Sequence, residues 1–320
     1  MSDLQDIQLL HSMKRIRLAE EFLADQYSDQ EIRCPMHLCI GQEAIAAGVC
    51  LSLDEKDLVY SNHRAHGHYL AKGGSMDEMF AELYGRETGC CGGRGGSMHL
   101  IDLDAGFMGA TPVVGGTIPL AVGTAWASSL QQTGQVTVSF FGDGCFEEGV
   151  MHESLNFAAL HKLPIVFVCE NNTLSVYTRR EDRQPDRPIH KVAEALGLQA
   201  YLGNGNDVSE VAHVASEAIH QARSGEGPQF IEFSTYRWRE HCGPLFDNEL
   251  GYRTEDEVDI GTADCPIDKF TEKLAATHSD LTEIVKKMEM EINDEIEDAF
   301  QFALTGNLPS PSDAEDKVYA

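Results

Sequence analysis

Two short stretches of this 320-residue chain carry residue types suited to holding a phosphorylated ligand through a metal ion. Gly142-Asp143-Gly144 directly follows the apolar run Val136-Thr137-Val138-Ser139-Phe140-Phe141, and Glu170-Asn171-Asn172 directly follows the run from Ile165 to Cys169. Asp143 offers a hard anionic oxygen and Asn172, 29 positions on, a neutral amide oxygen. With a backbone carbonyl, they suit an octahedral divalent ion that also takes phosphate oxygens. Gly142 and Gly144 let the main chain approach a diphosphate, and a helix starting at Glu147 points its N-terminus at the anion. Gly-Asp-Gly alone is an ordinary strand-to-helix turn; the second strand, ending in Glu-Asn-Asn, makes it a candidate site.

Such a pair needs a scaffold that brings two strand ends together. The middle of the chain alternates accordingly: after the two apolar runs come a helix from Glu147 to about His161, a helix around Val192 to Leu196, a helix from Val208 to Arg223 and a strand from Gln229 to Phe233. Strands this apolar, alternating with helices, imply an α/β fold with a parallel sheet covered by helices on both faces. Right-handed crossovers put Phe141 and Cys169 on one edge of that sheet, where open α/β sheets bind ligands.

Upstream, Leu9, Met13, Ile16, Glu20 and Leu23 recur at helical spacing, Gly41 opens a small-residue helix through Val49, and Asp57 to Tyr60 is a short strand. A polar cluster, Ser61 to His68, follows it. From Gly85 to Gly123 glycine is dense but interspersed with apolar residues, which suits a long ordered loop rather than a linker. Near the end, Asp280-x-x-Glu283 reads as a capping box ahead of the stripe Leu281, Ile284, Val285, Met288, Ile292, Ile296 and Phe300. The expected organisation is an α/β domain over residues 1–260, including the N-terminal helix, and an acidic helical segment over 261–320 packed on it. From Pro309 a frayed terminus is expected.

Charge narrows the function classes. With 24 basic and 52 acidic residues the net charge is −28, which disfavours nucleic acid or an anionic membrane as partner. Nine cysteines without a Cys-x-x-Cys pair argue against a zinc cage. No secretory signal and no membrane-spanning run are legible, so a cytoplasmic location is expected.

Met36-His37-Leu38-x-x-Gly41-Gln42-Glu43-Ala44, His63-Arg64-Ala65-His66-Gly67-His68, Gly85-Arg86-x-Thr88-Gly89-Cys90, Gly95-Gly96-Ser97-Met98-His99 and Thr235-Tyr236-Arg237-Trp238 flank the Gly-Asp-Gly and Asn-Asn pair. As a set, and in this order from about Leu10 to Val258, they resemble the alpha subunit of the thiamine-diphosphate-dependent first component of 2-oxo-acid dehydrogenase complexes, which act on pyruvate, branched-chain 2-oxo acids or acetoin. The resemblance implies thiamine diphosphate and Mg2+ as cofactors. Asp143, Asn172 and the main-chain carbonyl of Leu174 would bind the metal. Gly142, Gly144 and Cys145 would present backbone to the diphosphate, and Arg64 would pair with it. His63 stands where many members carry Tyr. Pro112 and Val114 would contact the aminopyrimidine and thiazolium through backbone groups, and His241 aligns with a histidine near the reacting carbon.

His241 is accordingly expected to be catalytic, and His66 is a second catalytic candidate; His68 and His99 are further ones. The family's Gly-His-Ser is here Glu240-His241-Cys242, Leu174 replaces a common aromatic, and no serine stands where mitochondrial members are phosphorylated. Cys145 reads as a packing residue. The glutamate that activates the cofactor belongs, in the family, to a separate beta subunit, so the resemblance implies an α2β2 heterotetramer, with acyl transfer to a lipoyl partner. Two alternatives remain: a decarboxylase or carboligase without lipoyl partner, and a non-catalytic scaffold subunit. A nicotinamide dehydrogenase is set behind these, because no Gly-x-Gly-x-x-Gly follows an early strand.

Overall fold

The apolar runs ending at Gly142 and Asn171 form neighbouring strands in the middle of a six-stranded sheet in the computed structural model, which describes residues 3–314. The strands are β1 (Leu58–Ser61), β2 (Phe107–Ala110), β3 (Thr137–Gly142), β4 (Ile165–Asn171), β7 (Gln199–Asn204) and β8 (Gln229–Ser234), with β5 (Leu174–Ser175) and β6 (Thr178–Arg179) making a separate two-stranded ribbon. Sheet order is β2-β1-β3-β4-β8-β7, and every pair in it is parallel. Phe141 lies opposite Cys169 in the β3–β4 register, so the two strand ends share an edge as expected.

Helices α1 (Asp3–Gln26), α2 (Glu43–Leu51), α3 (His66–Lys72), α4 (Met76–Leu83), α5 (Ile118–Gln131), α6 (Gly149–His161), α7 (Ile189–Ala195), α8 (Val208–Arg223), α9 (Glu255–Ala263), α10 (Pro266–Ala275) and α11 (Leu281–Thr305) surround the sheet. Side chains of a strand alternate between faces, and two apolar clusters follow from that alternation. Val138, Phe140, Val166, Val168, Ile231 and Phe233 belong to one cluster, with residues of α1, α2, α4, α8 and α11. Phe141, Ile165, Phe167, Cys169 and Phe230 belong to the other, with residues of α5, α6 and α7. The sheet is therefore covered on both faces. Among the described residues, no helix is long and apolar enough to cross a membrane.

Several local expectations change. α6 starts at Gly149, because Asp143–Glu147 first makes a 3-10 turn. The capping box at Asp280 does not form: the Glu283 N–H is bonded to the Asp280 carbonyl at 3.0 Å, and the Asp280 side chain caps nothing. Leu281, Met288, Ile292 and Ile296 of the α11 stripe are nevertheless buried in the cluster that contains α1. At the tail, Pro311–Ala314 forms a 3-10 turn, and the rest of the expected frayed end lies outside the described residues.

The glycine-dense stretch is ordered, as expected, but it also contains β2 and the first turns of α5. Its first part wraps one carboxylate. Glu82 accepts hydrogen bonds from the N–H groups of Cys91, Gly93, Gly95 and Gly96 at 2.8, 2.8, 2.6 and 3.0 Å. Gly93 is required there: its φ is +73°, and a Cβ would sit 2.6 Å from the Arg86 carbonyl oxygen.

Candidate active site

The carboxyl ends of four parallel strands open into one cavity. Asn62, His63 and Arg64 follow β1; Thr111 to Gly115 follow β2; Gly142 to Cys145 follow β3; Asn172 and Leu174 to Val176 follow β4. His37 and Gln42 from the segment before α2, and His241 beyond β8, close it. The loop from Gly142, rather than α6 itself, forms this part of the wall, which corrects the expectation of a helix N-terminus at the ligand.

Asp143 is buried at the β3 end, and Arg183 Nη2 donates to its Oδ2 at 2.5 Å. Burial pushes the Asp143 carboxyl above its ordinary range, with Arg183 offsetting part of that shift. Gln184 Nε2 donates to the Asp143 carbonyl at 3.1 Å, so the chain after β6 is pinned over the turn. Asn172 Nδ2 donates to Gln42 Oε1 at 3.0 Å, and Asn172 Oδ1 accepts from the Leu174 N–H at 3.2 Å. These bonds fix the amide and place the Leu174 main chain beside it. At Gly144 a Cβ would meet Ser175 Oγ at 2.9 Å, so the ribbon lies directly against the glycine turn.

Arg64 is buried, and among the described residues it forms no ion pair. Its Nη1 donates to the Leu38 carbonyl and its Nη2 to the His241 carbonyl at 3.4 Å. Burial, and Arg237 nearby, hold the guanidinium down to about 10. Its hydrogen bonds go only to carbonyls, with Glu20 and Glu170 acting on it at longer range, and a buried cation without a direct ion pair is costly; an anion in the cavity would complete its pairing. Two further polar atoms at the cavity, His37 Nδ1 and Gln42 Nε2, are buried without a partner.

Three imidazoles share this wall. His37 and His63 have ring centroids 4.8 Å apart, His37 and His241 4.9 Å, and His63 and His241 5.3 Å. Burial and then Arg64 lower their proton affinity, to about 3 for His37, about 2 for His63 and about 4 for His241. They are neutral near pH 7.

Of the residues singled out from sequence, His63, Arg64, Pro112, Val114, Gly142, Asp143, Gly144, Cys145, Asn172, Leu174 and His241 all line this cavity. His66 does not. It is fully buried, with Nδ1 3.1 Å from Glu20 Oε1 and Nε2 2.8 Å from Ser97 Oγ, which leaves no ring nitrogen for a substrate. His68 is likewise occupied, by Ser61 Oγ at 2.8 Å and Glu170 Oε1 at 3.1 Å, with its ring stacked on Phe140. His99 Nδ1 lies 2.8 Å from the Gly95 carbonyl oxygen, away from the cavity lining. The Cys145 thiol is pushed up to about 12 by burial, in keeping with a packing residue.

Sequence reasoning left His37, Gln42, Glu170, Val176 and Arg183 without roles. His37 and Gln42 stood inside a motif already singled out, so their signal was present. Arg183 gave none, because a loop arginine 40 residues from Asp143 has no periodic relation to it.

The model of the family described as "Dehydrogenase E1 component" matches residues 11–312. The chain is 37% identical to the alpha subunit of acetoin:2,6-dichlorophenolindophenol oxidoreductase of Bacillus subtilis, over 97% of this chain and 92% of that one. It is 38% identical to the chloroplastic pyruvate dehydrogenase E1 component subunit alpha-3 of Oryza sativa subsp. japonica, over 98% of this chain and 75% of that protein. It is 34% identical to the pyruvate dehydrogenase E1 component subunit alpha of Rhizobium meliloti, over 96% and 88%.

Proposed function

The chain belongs to the dehydrogenase E1 component family, and from that premise we propose how its cavity serves the family's reaction. It is an oxidoreductase of the thiamine-diphosphate-dependent class that acts on 2-oxo acids or acetoin, in the manner of an alpha subunit. The observation that carries the proposal is Arg64, a buried guanidinium that forms no ion pair among the described residues, on the wall of a cavity built from four strand ends.

The residues present fit a diphosphate with a divalent cation. Arg64 supplies the counter-charge, a planar fork matched to phosphate oxygens. Gly142, Gly144 and Cys145 offer main chain, and Gln42 Nε2 is a free buried donor. Asp143, Asn172 and the Leu174 carbonyl supply the oxygen donors that Mg2+ prefers. When bound, the cofactor supplies the electron sink for carbanion chemistry that side chains lack. The chain's own part is to anchor it, to keep Asp143 ionised beside a cation, and to present neutral imidazoles at the substrate end. Pro112 and Val114 would contact the cofactor rings through backbone groups, His63 would donate a hydrogen bond to the cofactor, and His241, neutral, would orient the substrate or move its proton.

A beta-type partner and a lipoyl-bearing partner come with the family in general. An α2β2 assembly of this chain is part of the proposal, supported by exposed Leu120, Trp126 and Leu130 on α5 and Leu160 on α6. A cytoplasmic location is a further part, in keeping with nine unpaired cysteines.

Calorimetric titration with thiamine diphosphate, with and without Mg2+, tests the metal and anchoring roles. Wild-type chain should bind in a Mg2+-dependent manner, and Asp143→Ala should lose that dependence while keeping its fold. Unchanged affinity in Asp143→Ala would remove the metal role.

A further inference from the structure

The three imidazoles at the cavity wall satisfy a condition that one substrate-orienting histidine does not need. Their ligand nitrogens all lie within 4.8 Å of one another. Four nitrogens at about 2.0–2.1 Å around a tetrahedral zinc ion stand about 3.3 Å apart. Ring rotations and small backbone adjustments close the remaining gap. No ring nitrogen of the three has a hydrogen-bond partner among the described residues, and His37 Nδ1 is buried without one. In contrast, His66 and His68 have both nitrogens bonded. The three rings come from separate segments, before α2, after β1 and beyond β8, so they converge by folding rather than by sequence proximity.

We propose that His37, His63 and His241 form a second cation site in the cavity, selective for an imidazole-preferring divalent ion of the zinc type and distinct from the oxygen-donor site at Asp143. Ligand softness separates the two: imidazole suits zinc, cobalt, nickel and copper, and carboxylate and carbonyl oxygens suit magnesium. Three protein ligands leave a fourth position open to water, the arrangement of an accessible site rather than a closed structural one. The nearest charge, Arg64, points its donors at the carbonyls of Leu38 and His241 rather than at the rings. A neutral imidazole keeps one N–H and offers one lone pair, so each ring can present a single ligand nitrogen, which is what the cluster requires. One consequence rests on the proposed function: an ion held by His241 removes that imidazole from the substrate, so zinc should inhibit turnover.

The test uses the full chain and cobalt(II) as the probe, in excess Mg2+. The expected result is one equivalent bound with the intense visible absorption of a tetrahedral site, undiminished by Mg2+. His63→Phe and His63→Gln, each checked for native circular dichroism, should both weaken binding by roughly 10²-fold or more, at least the scale of disrupting a metal site's surroundings. Asp143→Ala should leave the cobalt spectrum unchanged although it loses Mg2+-dependent cofactor binding. The two readings therefore fail separately. No bound equivalent, binding unaffected in both folded His63 variants, or a sulfur-to-cobalt charge-transfer band as the sole signal would overturn the site. That last outcome would place the ion at Glu82, Cys90 and Cys91, the other group with metal-ligating spacing among the described residues.

Discussion

Two sets of histidines withdrawn from bulk water lie near the strand ends, and the protein treats them in opposite ways. His66 and His68 have every ring nitrogen matched to Glu20, Ser97, Ser61 or Glu170. Among the described residues, the ring nitrogens of His37, His63 and His241 have no hydrogen-bond partner, although the rings are largely withdrawn from water. A buried polar group with its partners in place stabilises and specifies the fold; one without them is expensive unless a ligand completes it. Arg64, between the two sets, belongs with the incomplete one. Among these histidines, the set without partners is the one that lines the cavity.

The largest effect that sharpens this contrast is expected at Arg64. Arg64→Met keeps an unbranched apolar stem and removes the charge. Affinity for thiamine diphosphate should fall by roughly 10²-fold, the scale of hydrogen bonds to a charged group. The unliganded chain should become no less stable, because a buried cation without a direct ion pair has gone. A denaturant titration showing clear destabilisation together with retained affinity would make Arg64 a structural residue.

His241→Ala comes next. With a beta-type partner supplied, turnover should drop by roughly 10²-fold, typical of a lost acid–base or orienting group, with cofactor affinity nearly unchanged. Equal loss of both would make His241 an anchor.

His66→Ala should behave in the other way. It leaves a cavity and unpairs Glu20 and Ser97, so unfolding free energy should fall by about 2–5 kcal/mol. Turnover per folded molecule should change by less than an order of magnitude. A large fall in turnover at unchanged stability would break the comparison.

The smallest effect is a slope in pH. In the unfolded chain each histidine binds a proton near pH 6.5, but folded His37, His63 and His241 do so only at about 3, 2 and 4. Between those values the unfolded state holds more protons, so stability falls as pH drops below about 6.5. Arg64 and Arg237 reinforce this trend at His241, and Asp247 opposes it. Melting temperatures from pH 7.5 to 4.5 should decline less steeply in His63→Phe than in wild type.

The same contrast explains what the sequence could reveal. β3, β4 and α8 were legible because their patterns are local; in the structure the Asp207 side chain also caps α8, accepting from the Ser209 and Glu210 N–H groups. β7 was not, because an edge strand with Gln199, Leu202 and Asn204 exposed has no apolar run. α5 was obscured by the glycines around it, and Gly123 within it faces open space. Of the eleven cavity residues, Gly142, Asp143, Gly144 and Asn172 were legible at the strand ends themselves, and the other seven only through the family resemblance. His66 was misplaced because hydrogen bonding to Glu20, 46 positions away, leaves no mark on a motif. Arg183 was missed for the same reason.

The four amides that share the Glu82 carboxylate have a consequence for exchange with solvent. A proton at Cys91, Gly93, Gly95 or Gly96 reaches deuterated water only when its bond to that carboxylate opens, and all four bonds end on the same two oxygens. The segment should therefore breathe as one unit, with four amide protons exchanging at a common, correlated rate rather than fraying from one end. Met98 lies two residues beyond the last of them and lines the cavity. Each such opening event also loosens a wall of the cavity, so the protection of four glycine-loop amides becomes a clock for how often that wall gives way.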